Sequence, residues 1–203
     1  MSTIPHGSAC CEASQEAALF NSSATVDRVT GDVAKRFVDI LGAASLVLTF
    51  AIPMAIVALL VKLTSPGPVI FKQRRPGLGG REFSCYKFRT MVVDAEERLS
   101  RDAALRAQFE QNFKLRHDPR LTPVGTFLRR TSLDELPQLF NVLHGTMSLI
   151  GPRPILRHQV AKYGDYANKL FSVKPGLGGY WQVYGRSNTY HEERINMDMF
   201  YIN

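Results

Sequence analysis

The stretch from Ile40 to Val61, ILGAASLVLTFAIPMAIVALLV, decides the fold class of this chain. It contains 22 consecutive residues without a charged side chain. At about 1.5 Å per residue, a helix of that length matches a hydrocarbon core of roughly 30 Å. A helix at the surface of a soluble protein shows a polar face, and this stretch has none. We therefore expect the segment to enter a membrane.

Two features of this stretch favour a helix that dips into one leaflet and returns. Pro53 lies in its middle and predicts a break, because proline removes a helical hydrogen bond and clashes with the preceding turn. Thr49, four residues earlier, is placed to help satisfy the freed backbone. Basic residues flank both ends: Arg28, Lys35 and Arg36 before it, and Lys62, Lys72, Arg74 and Arg75 after it. Since basic flanks stay cytoplasmic, we expect a re-entrant helix over residues 35–63, with a kinked span as the alternative.

The whole chain has 203 residues and a net charge of +7, from 25 Lys and Arg against 18 Asp and Glu. That excess predicts an anionic partner, although charge alone does not identify it. The three cysteines, Cys10, Cys11 and Cys85, form neither a disulfide framework nor a metal-binding spacing, and they fit a reducing cytosol. Residues 1–34 show no periodicity and no signal-peptide pattern, so we expect a flexible tail there.

Residues 64–203 mix strand and helix signals and predict a compact α/β domain, mostly helical with a small β-hairpin. Residues 69–75 and 81–91 favour two strands joined by a turn rich in glycine. Residues 92–113 favour one helix with acidic residues in its first turns. Thr122, followed by proline, is typical of a helix start in which threonine is the cap.

The sequence from Arg129 to Leu139, RRTSLDELPQL, places two adjacent carboxylates at a predicted helix start. Ser132 and Glu135, three residues apart, match a capping box, in which Asp134 and Glu135 only stabilise the first helical turn. Alternatively, the two acids form a catalytic pair whose charge the preceding arginines hold ionised. From these residues alone, both interpretations stay open.

Several basic residues elsewhere have a structural and a functional interpretation. Arg81, Lys87 and Arg89 lie on the second predicted strand, where they form either a solvated face or a basic wall beside a phosphate site. Arg153 stands between two prolines, and such a stiff backbone suits a guanidinium that must be aimed at a phosphate. A glycine-rich loop between Lys174 and Arg186 could cradle phosphate through its backbone amides.

Six stretches occur together and in order across residues 35–201. They are KRFVDILGA, KLTSPGPVIFKQRRPG, YKFRTM, DPRLTPVGTFLRRTSLDELPQLFNVL, MSLIGPRP and KPGLGGYWQVYGR. In this combination the chain resembles the bacterial sugar transferase family, whose members are small monotopic phosphoglycosyl transferases or polyprenyl-phosphate hexose-1-phosphate transferases. Within the family it is most similar to the small ExoY-like type, which starts exopolysaccharide synthesis.

The resemblance implies an enzyme, a phosphoglycosyl transferase, at the cytoplasmic face of the bacterial inner membrane. A UDP-hexose would give its hexose-1-phosphate to a polyprenyl (undecaprenyl) phosphate and release UMP, as the first membrane step of exopolysaccharide or related glycoconjugate synthesis. Galactose or glucose is the expected hexose. The implied partners are these two substrates and inner-membrane lipid. Nucleic acid is not expected as a partner, and homo-oligomerisation is left open.

The resemblance also implies roles for individual residues. Asp134 would attack the sugar-bearing phosphorus and form a phosphosugar–aspartyl intermediate, with Glu135 assisting by positioning or proton handling. Lys87, Arg129 and Arg153 would contact the two acids, the phosphates or the nucleotide. Mg²⁺ is expected near Asp134, where it would offset the charge of the pyrophosphate.

Some positions depart from the family pattern. Thr146 stands where aspartate is usual, and Ile52 stands where serine is common before the central proline. The late loop reads Gly-Gly-Tyr-Trp, and Trp181, the only tryptophan, fits a core position or an aromatic belt at the membrane interface equally well. The family continues some tens of residues past Asn203, so the catalytic domain, residues 64–203, is expected to lack a C-terminal helical segment. These departures motivate one alternative, a catalytically degenerate membrane-bound partner or regulatory protein of the same fold.

Overall fold

The computed structural model describes residues 9–112, 115, 118–184 and 191–202, and it describes side chains within residues 32–109, 115, 118–184 and 192–202. By backbone contacts the chain divides into two units, Met1–Leu41 and Gly42–Asn203. The described residues are mostly helical, with two small two-stranded sheets. This agrees with the mostly helical fold class expected from the sequence.

The first helix, α1, runs from Ala9 to Thr64. Its segment Asp32–Thr64 has 33 residues and is apolar enough to cross a membrane by length and composition. The helical backbone also takes in residues 9–34 of the expected flexible tail. That range contains six Ala, two Glu and one Gln, which have high helix propensity.

α1 continues through Pro53 as an α-helix, so the helix is not interrupted at the residue where the sequence predicted a break. The hydroxyl of Thr49 donates to the carbonyl of Ser45 at 2.9 Å, so it supports the preceding turn instead of the backbone freed by the proline. A proline costs one helical hydrogen bond, and the neighbouring Ala51 and Met54 are strong helix formers that continue the helix on both sides.

Within the second unit, α1 buries one face and exposes the other. Ala43, Val57 and Val61 are buried in contact with the core of this unit. Large apolar side chains elsewhere on the helix, among them Leu48 and Ile52, are mostly exposed. Exposed apolar area of this extent marks an interaction surface, and on a helix of this length it fits contact with lipid.

The predicted hairpin is confirmed as two antiparallel strands, β1 (Ile70–Pro76) and β2 (Glu82–Phe88). A later helix, α5 (Gln138–His144), attaches to the outer edge of β2 through Asn141. The side chain of Asn141 accepts from the amide of Tyr86 at 2.9 Å and donates to the carbonyl of Ser84 at 2.7 Å. The side chain of Asn141 thus makes the hydrogen bonds to the backbone of β2 that a neighbouring strand would make. The core beneath it consists of Ala43, Phe83, Cys85, Leu139, Val142 and Met147.

The single helix predicted over residues 92–113 is two helices, α2 (Ala95–Arg101) and α3 (Ala103–Asn112). Asp102 separates them in an extended conformation, with φ −102° and ψ 100°. Its carboxylate accepts from the amide of Leu105 at 2.9 Å. Aspartate competes well for the backbone amides of a new helix start, which explains why the helix is interrupted here.

The predicted cap at Thr122 is confirmed at the start of α4 (Pro123–Thr131). Its Oγ1 accepts from the amide of Gly125 at 2.9 Å. Gly125 also lets α4 pack directly on the backbone after β2, since a Cβ there would lie 1.9 Å from the carbonyl oxygen of Thr90. This contact sets the position of α4, whose last turn leads into the two adjacent carboxylates.

The rest of the second unit builds a separate core. Strands β3 (Ser148–Ile150) and β4 (Gly176–Gly178) pair in parallel. Between them lie a 3-10 helix (Arg157–Tyr166) and α6 (Ala167–Leu170), and after them lie α7 (Tyr180–Tyr184) and α8 (His191–Ile202). The buried residues of this core are Tyr163, Leu170, Ile195 and Met199.

Candidate active site

Asp134 and Glu135 lie in a short 3-10 turn, Leu133–Glu135, between α4 and α5. The predicted capping box is wrong. Ser132 ends α4 in the left-handed conformation, with φ 57° and ψ 16°, and its side chain makes no capping hydrogen bond. Because α5 begins only at Gln138, both acids precede the helix start that the sequence predicted for them. The carboxylates are therefore available to partners from other parts of the fold.

Glu135 is bound by two cations that are distant in the sequence. Its Oε1 accepts from Nζ of Lys87 at 2.6 Å and from Nη2 of Arg153 at 2.7 Å. Burial by itself would raise the pKa of Glu135, but the charges and hydrogen bonds of Arg153 and Lys87 together hold that pKa below its ordinary value. Glu135 is thus an ionised anchor that holds both cations in one place.

Asp134 has a different environment, although it is the adjacent residue. It is only 7% exposed, and no cationic side chain in the described part of the chain lies within ion-pair distance of it. Loss of hydration raises the pKa of Asp134, and the charges of Lys87 and Arg129 offset this only in part. The site therefore moves the pKa values of two neighbouring carboxyls in opposite directions, as is typical of acids with different chemical roles.

Arg129 approaches Asp134 from the last turn of α4. Its Nε donates to Oγ1 of Thr90 at 3.0 Å, and its positive charge lowers the pKa of Asp134. Thr90 is itself fixed, because its carbonyl accepts from the amide of Thr122 at 3.0 Å. Burial lowers the pKa of Arg129, but a guanidinium remains charged at any physiological pH. The structure thus places Arg129 beside the pair, as the resemblance implied.

Arg75 is a cleft residue that the sequence analysis counted only as a basic flank of the apolar segment. It lines the same cleft as Glu135 and the two cations bound to it. Its Nε and Nη2 donate to Oε1 of Gln73 at 3.2 and 2.8 Å, and its Nη1 donates to the carbonyl of Pro154. The period-two alternation of a strand places Gln73 and Arg75 on one face of β1, so this signal was present in the KQRRPG stretch.

Arg153 is positioned by the GPRP segment that follows β3. The amide of Gly151 donates to the carbonyl of Gly178 at 2.9 Å, and the amide of Gly176 donates to the carbonyl of Pro152 at 2.8 Å. The two backbones are so close that a Cβ on Gly176 would lie 2.1 Å from the amide nitrogen of Gly151. A backbone held this closely aims the guanidinium of Arg153 at the carboxylate pair.

Two further predicted cations do not reach this cleft. Arg89 is buried elsewhere, where its Nη2 donates to the carbonyl of Ser65 at 2.7 Å, just beyond the end of α1. Arg81 is exposed at the start of the second predicted strand. Of the predicted basic wall, only Lys87 contacts the pair. Arg186, at the far end of the predicted glycine-rich loop, lies outside the described residues.

Positive charge exceeds negative charge around the two carboxylates. Three cations and one acid line the cleft, namely Arg75, Lys87, Arg153 and Glu135, and a fourth cation, Arg129, acts on the neighbouring Asp134. The excess of two positive charges lies in a partly buried cleft, where solvent screens charge less than it does at an open surface. Three of the four cations are guanidiniums, which bind phosphate oxygens through paired hydrogen bonds. The cleft therefore suits an anion with two or more negative charges.

No group of three or more His, Cys, Asp or Glu residues within the described ranges is arranged to hold a metal ion. Mg²⁺ does not need such a group, because it keeps several waters and commonly binds one or two protein carboxylates together with substrate phosphates. Asp134 fits this mode, since no described side chain forms an ion pair with it. Glu135, which is bound by two cations, does not fit it.

The chain matches known proteins over most of its length. Residues 30–203 match the family described as Bacterial sugar transferase. The chain is 39% identical over 195 residues to a UDP-galactose-lipid carrier transferase of Erwinia amylovora, covering 91% of this chain and 41% of that protein. It is 44% identical over 161 residues to an undecaprenyl-phosphate galactose phosphotransferase of Salmonella typhimurium, covering 77% and 34%. It is 38% identical over 181 residues to the exopolysaccharide production protein ExoY of Rhizobium meliloti, covering 86% and 79%.

These relatives differ in length. The chain spans about two fifths of the Erwinia protein and a third of the Salmonella protein, but about four fifths of ExoY. The match to ExoY confirms the expected likeness to the ExoY-like type. The family match takes in the apolar segment of α1, the hairpin, the carboxylate pair and the GPRP segment. The chain belongs to the bacterial sugar transferase family.

Proposed function

We propose that this chain transfers hexose-1-phosphate from a UDP-sugar to a polyprenyl phosphate such as undecaprenyl phosphate, and releases UMP. The observation that carries the proposal is the buried Asp134, which lacks an ion-pair partner among the described residues, beside Glu135, which Lys87 and Arg153 bind. The names of the relatives support the substrate class, with galactose or glucose as the hexose. The product begins exopolysaccharide or related glycoconjugate synthesis.

The charge balance of the cleft supports the donor. A UDP-sugar carries two negative charges on its diphosphate, which match the excess of two positive charges around the carboxylate pair. Phosphoryl transfer depends mainly on positioning and on neutralising charge, and the cleft supplies both. Arg153 has a partly exposed side chain and so has donors available for a phosphate in addition to its bond with Glu135. We assign the donor diphosphate to Arg153, Lys87 and Arg75.

We assign the attack to Asp134. In its ionised form, a carboxylate oxygen of Asp134 bonds to the phosphorus that carries the sugar, while the bond from that phosphorus to the UMP oxygen breaks and UMP leaves with the electron pair. An oxygen of the lipid phosphate then attacks the same phosphorus and releases Asp134. A carboxylate that has lost hydration, as the raised pKa of Asp134 indicates, is a stronger nucleophile than a fully solvated one.

Glu135 has a different role in this proposal. The pKa of Glu135 is lowered, so it is a poor proton carrier near neutral pH. Its two short bonds hold Lys87 and Arg153 at the place where the phosphates must lie. Glu135 therefore organises the cations. These contacts support positioning rather than proton handling as the role of Glu135 in this proposal.

We propose that Mg²⁺ binds at Asp134 together with the donor diphosphate. When bound, the ion offsets phosphate charge. The protein would contribute the carboxylate of Asp134, and phosphate oxygens and water would supply the other ligands. The assignment is supported because no described side chain forms an ion pair with this carboxylate.

The membrane helix supports the lipid substrate. We propose that α1 is inserted from the cytoplasmic side of the bacterial inner membrane and that both of its ends stay there, because basic residues flank both ends of the apolar segment. Since α1 is continuous across Pro53, such a return requires a bend of the helix at Pro53. The residues of α1 that contact the core of the second unit would then hold the cleft near the lipid phosphate.

The test is an assay of UMP release with purified protein in detergent, undecaprenyl phosphate, Mg²⁺ and a panel of UDP-sugars. We expect UMP with UDP-galactose or UDP-glucose and a loss of roughly 10³-fold or more in Asp134→Asn, since the nucleophile is gone. Chelation of Mg²⁺ should stop the reaction, and added Mg²⁺ should restore it. Asp165→Asn, an exposed acid on the 3-10 helix, is the matched control and should keep wild-type activity. Full activity of Asp134→Asn would refute the assignment.

The same assay tests the degenerate alternative. Thr146, the departure that motivated it, bonds through its amide and hydroxyl to the carbonyl of Asn141 at 3.1 and 3.2 Å. It thus closes the turn after α5 and does not line the cleft. Absence of UMP with every donor, in folded protein that still binds UDP, would favour the degenerate protein over the enzyme.

A further inference from the structure

Trp181 lies between the active-site cleft and the C-terminal helix. The guanidinium carbon of Arg153 is 6.0 Å from the centre of its ring, and that of Arg194 is 4.7 Å from the same centre. Both distances are within the range of attraction between a cation and an aromatic ring. One ring thus contacts a cation of the cleft and a cation of α8.

The ring is held from two sides. The helix that carries it, α7, attaches to β4 because the side chain of Gln182 donates to the carbonyl of Leu177 at 3.2 Å. Arg194 belongs to α8, which is anchored by the buried Ile195 and Met199. The ring is therefore held by α7 and α8, and a flexible side chain can pack against it.

The side chain of Arg153 requires a contact that limits its orientations. It makes one hydrogen bond to Glu135, and about a third of its side chain is exposed. A long arginine side chain loses rotamer entropy when it is fixed, and a contact with an aromatic face offsets part of that loss. Without the ring, Arg153 would sample orientations in which its remaining donors do not face the diphosphate.

We propose that Trp181 is a positioning residue for Arg153 and that α8 contributes to donor binding through Arg194 and this ring. The proposal rests on the proposed function, because it assigns Arg153 to the diphosphate of a nucleotide. The proposed location also differs from both locations that the sequence left open for Trp181, a core position and an aromatic belt. The ring belongs to the wall of the active site, not to an aromatic belt at the membrane interface.

The test is a double-mutant cycle on the dissociation constant for UDP, measured by calorimetry with protein in detergent. A cation–aromatic contact of about 0.5–2 kcal/mol corresponds to a change of roughly 2- to 30-fold in affinity. We expect Trp181→Leu to weaken UDP binding by such a factor. Trp181→Phe keeps an aromatic face and should retain most of the wild-type affinity for UDP. In an Arg153→Gln background, Trp181→Leu should change the affinity for UDP less than about twofold, because the side chain that the ring positions is absent.

The controls separate positioning from a general loss of structure. Tyr184→Leu removes an exposed aromatic residue of the same short helix and should leave UDP binding unchanged. A purely structural role predicts that Trp181→Leu weakens UDP binding equally with and without Arg153, and that result would overturn the proposal. If Trp181→Leu does not fold, Trp181→Gln, which also removes the aromatic face, is compared with wild type in both backgrounds and decides in the same way.

Trp181 also supplies its own signal, because it is the only tryptophan in the sequence. UDP should change the fluorescence of the wild-type protein, and this change should disappear in Arg153→Gln at UDP concentrations that still saturate that variant. Unchanged fluorescence on saturation of wild type would contradict the proposal. These binding measurements need no turnover, so a protein that passes them but releases no UMP would refute the proposed function alone. A wild type that binds no UDP would refute both.

Discussion

At the scale of single residues, adjacency in sequence does not mean a shared environment. Asp134 and Glu135 are neighbours, yet burial raises the pKa of Asp134 while Arg153 and Lys87 overcome the effect of burial on Glu135 and lower its pKa. The sequence identified the pair and three of the four surrounding cations. It did not distinguish the two acids, because the difference arises from cations supplied by other elements.

This arrangement predicts the behaviour of Glu135→Gln. Loss of the carboxylate weakens two charge-assisted bonds, each of about 1.5–3 kcal/mol, so we expect kcat/KM to fall by roughly 100-fold or more. The negative charge of Glu135 also raises the pKa of Asp134. Its removal should lower that pKa and move the acid limb of the pH–rate profile of the residual activity to lower pH. Steady-state kinetics across pH measure both, and an acid limb that stays in place or rises would contradict this electrostatic account.

At the scale of elements, the site depends on short segments held by backbone contacts. The sequence correctly predicted the hairpin and the cap at Thr122, because turns and caps are set by a few neighbouring residues. The predictions made from the sequence did not match the structure at Pro53, at Ser132 and at Asp102, because two local sequence signals competed at each of these positions. A proline inside strong helix formers did not end α1, and a matching Ser–Glu spacing did not make a cap.

The contact between β4 and the GPRP segment predicts a strong effect of Gly176→Ala. The added methyl would collide with the amide nitrogen of Gly151 at 2.1 Å. Overpacking of this kind costs about 1–3 kcal/mol or more, and here it also displaces Arg153, so we expect a lower melting temperature and lost transferase activity. The matched control is Gly178→Ala on the same strand, where the nearest atom is 3.6 Å away. Equal effects of the two substitutions would show that close packing at Gly176 is not the cause.

At the scale of the whole molecule, the described part of the second unit has two hydrophobic clusters beside the hairpin and a third around α8. The cluster around α8 contains a buried acid. Asp198 is 1% exposed, and one of its oxygens accepts from the hydroxyl of Tyr163 at 3.0 Å. Burial raises the pKa of Asp198 to about 6. The acid is thus more readily protonated in the folded chain than in the unfolded one.

The sign of the resulting pH dependence follows from this pKa. Below about pH 3 the carboxyl is protonated in both states. As pH rises to about 6 and beyond, the unfolded chain ionises more easily, and the folded state loses about 3 kcal/mol. Asp198→Asn removes this loss. We expect its melting temperature, relative to wild type, to rise by several degrees between pH 4 and pH 7.5. Asp165→Asn, an exposed control, should show no such change, and parallel curves for Asp198→Asn and wild type would contradict the prediction.

The membrane arrangement predicts the accessibility of cysteines in whole cells. In a background with Cys10 and Cys11 replaced by serine and Cys85 left buried, single Val33→Cys and Leu63→Cys substitutions mark the two ends of the apolar segment. A reagent that does not cross membranes should label neither site from the periplasm, and both should react after the cells are opened. Labelling of just one site from outside would show a span and would overturn the re-entrant arrangement.

The sequence by itself determined the features that depend on nearby residues: the apolar helix, the hairpin, the cap of α4 and the adjacency of Asp134 and Glu135. Only the tertiary structure decided how these parts act together. Glu135 bonds to residues 48 and 18 positions away, and Arg75 bonds to a carbonyl 79 positions away. The physical reason is that periodicity and turn chemistry act over a few residues, whereas charge pairing and burial depend on which distant segments the packed core brings together.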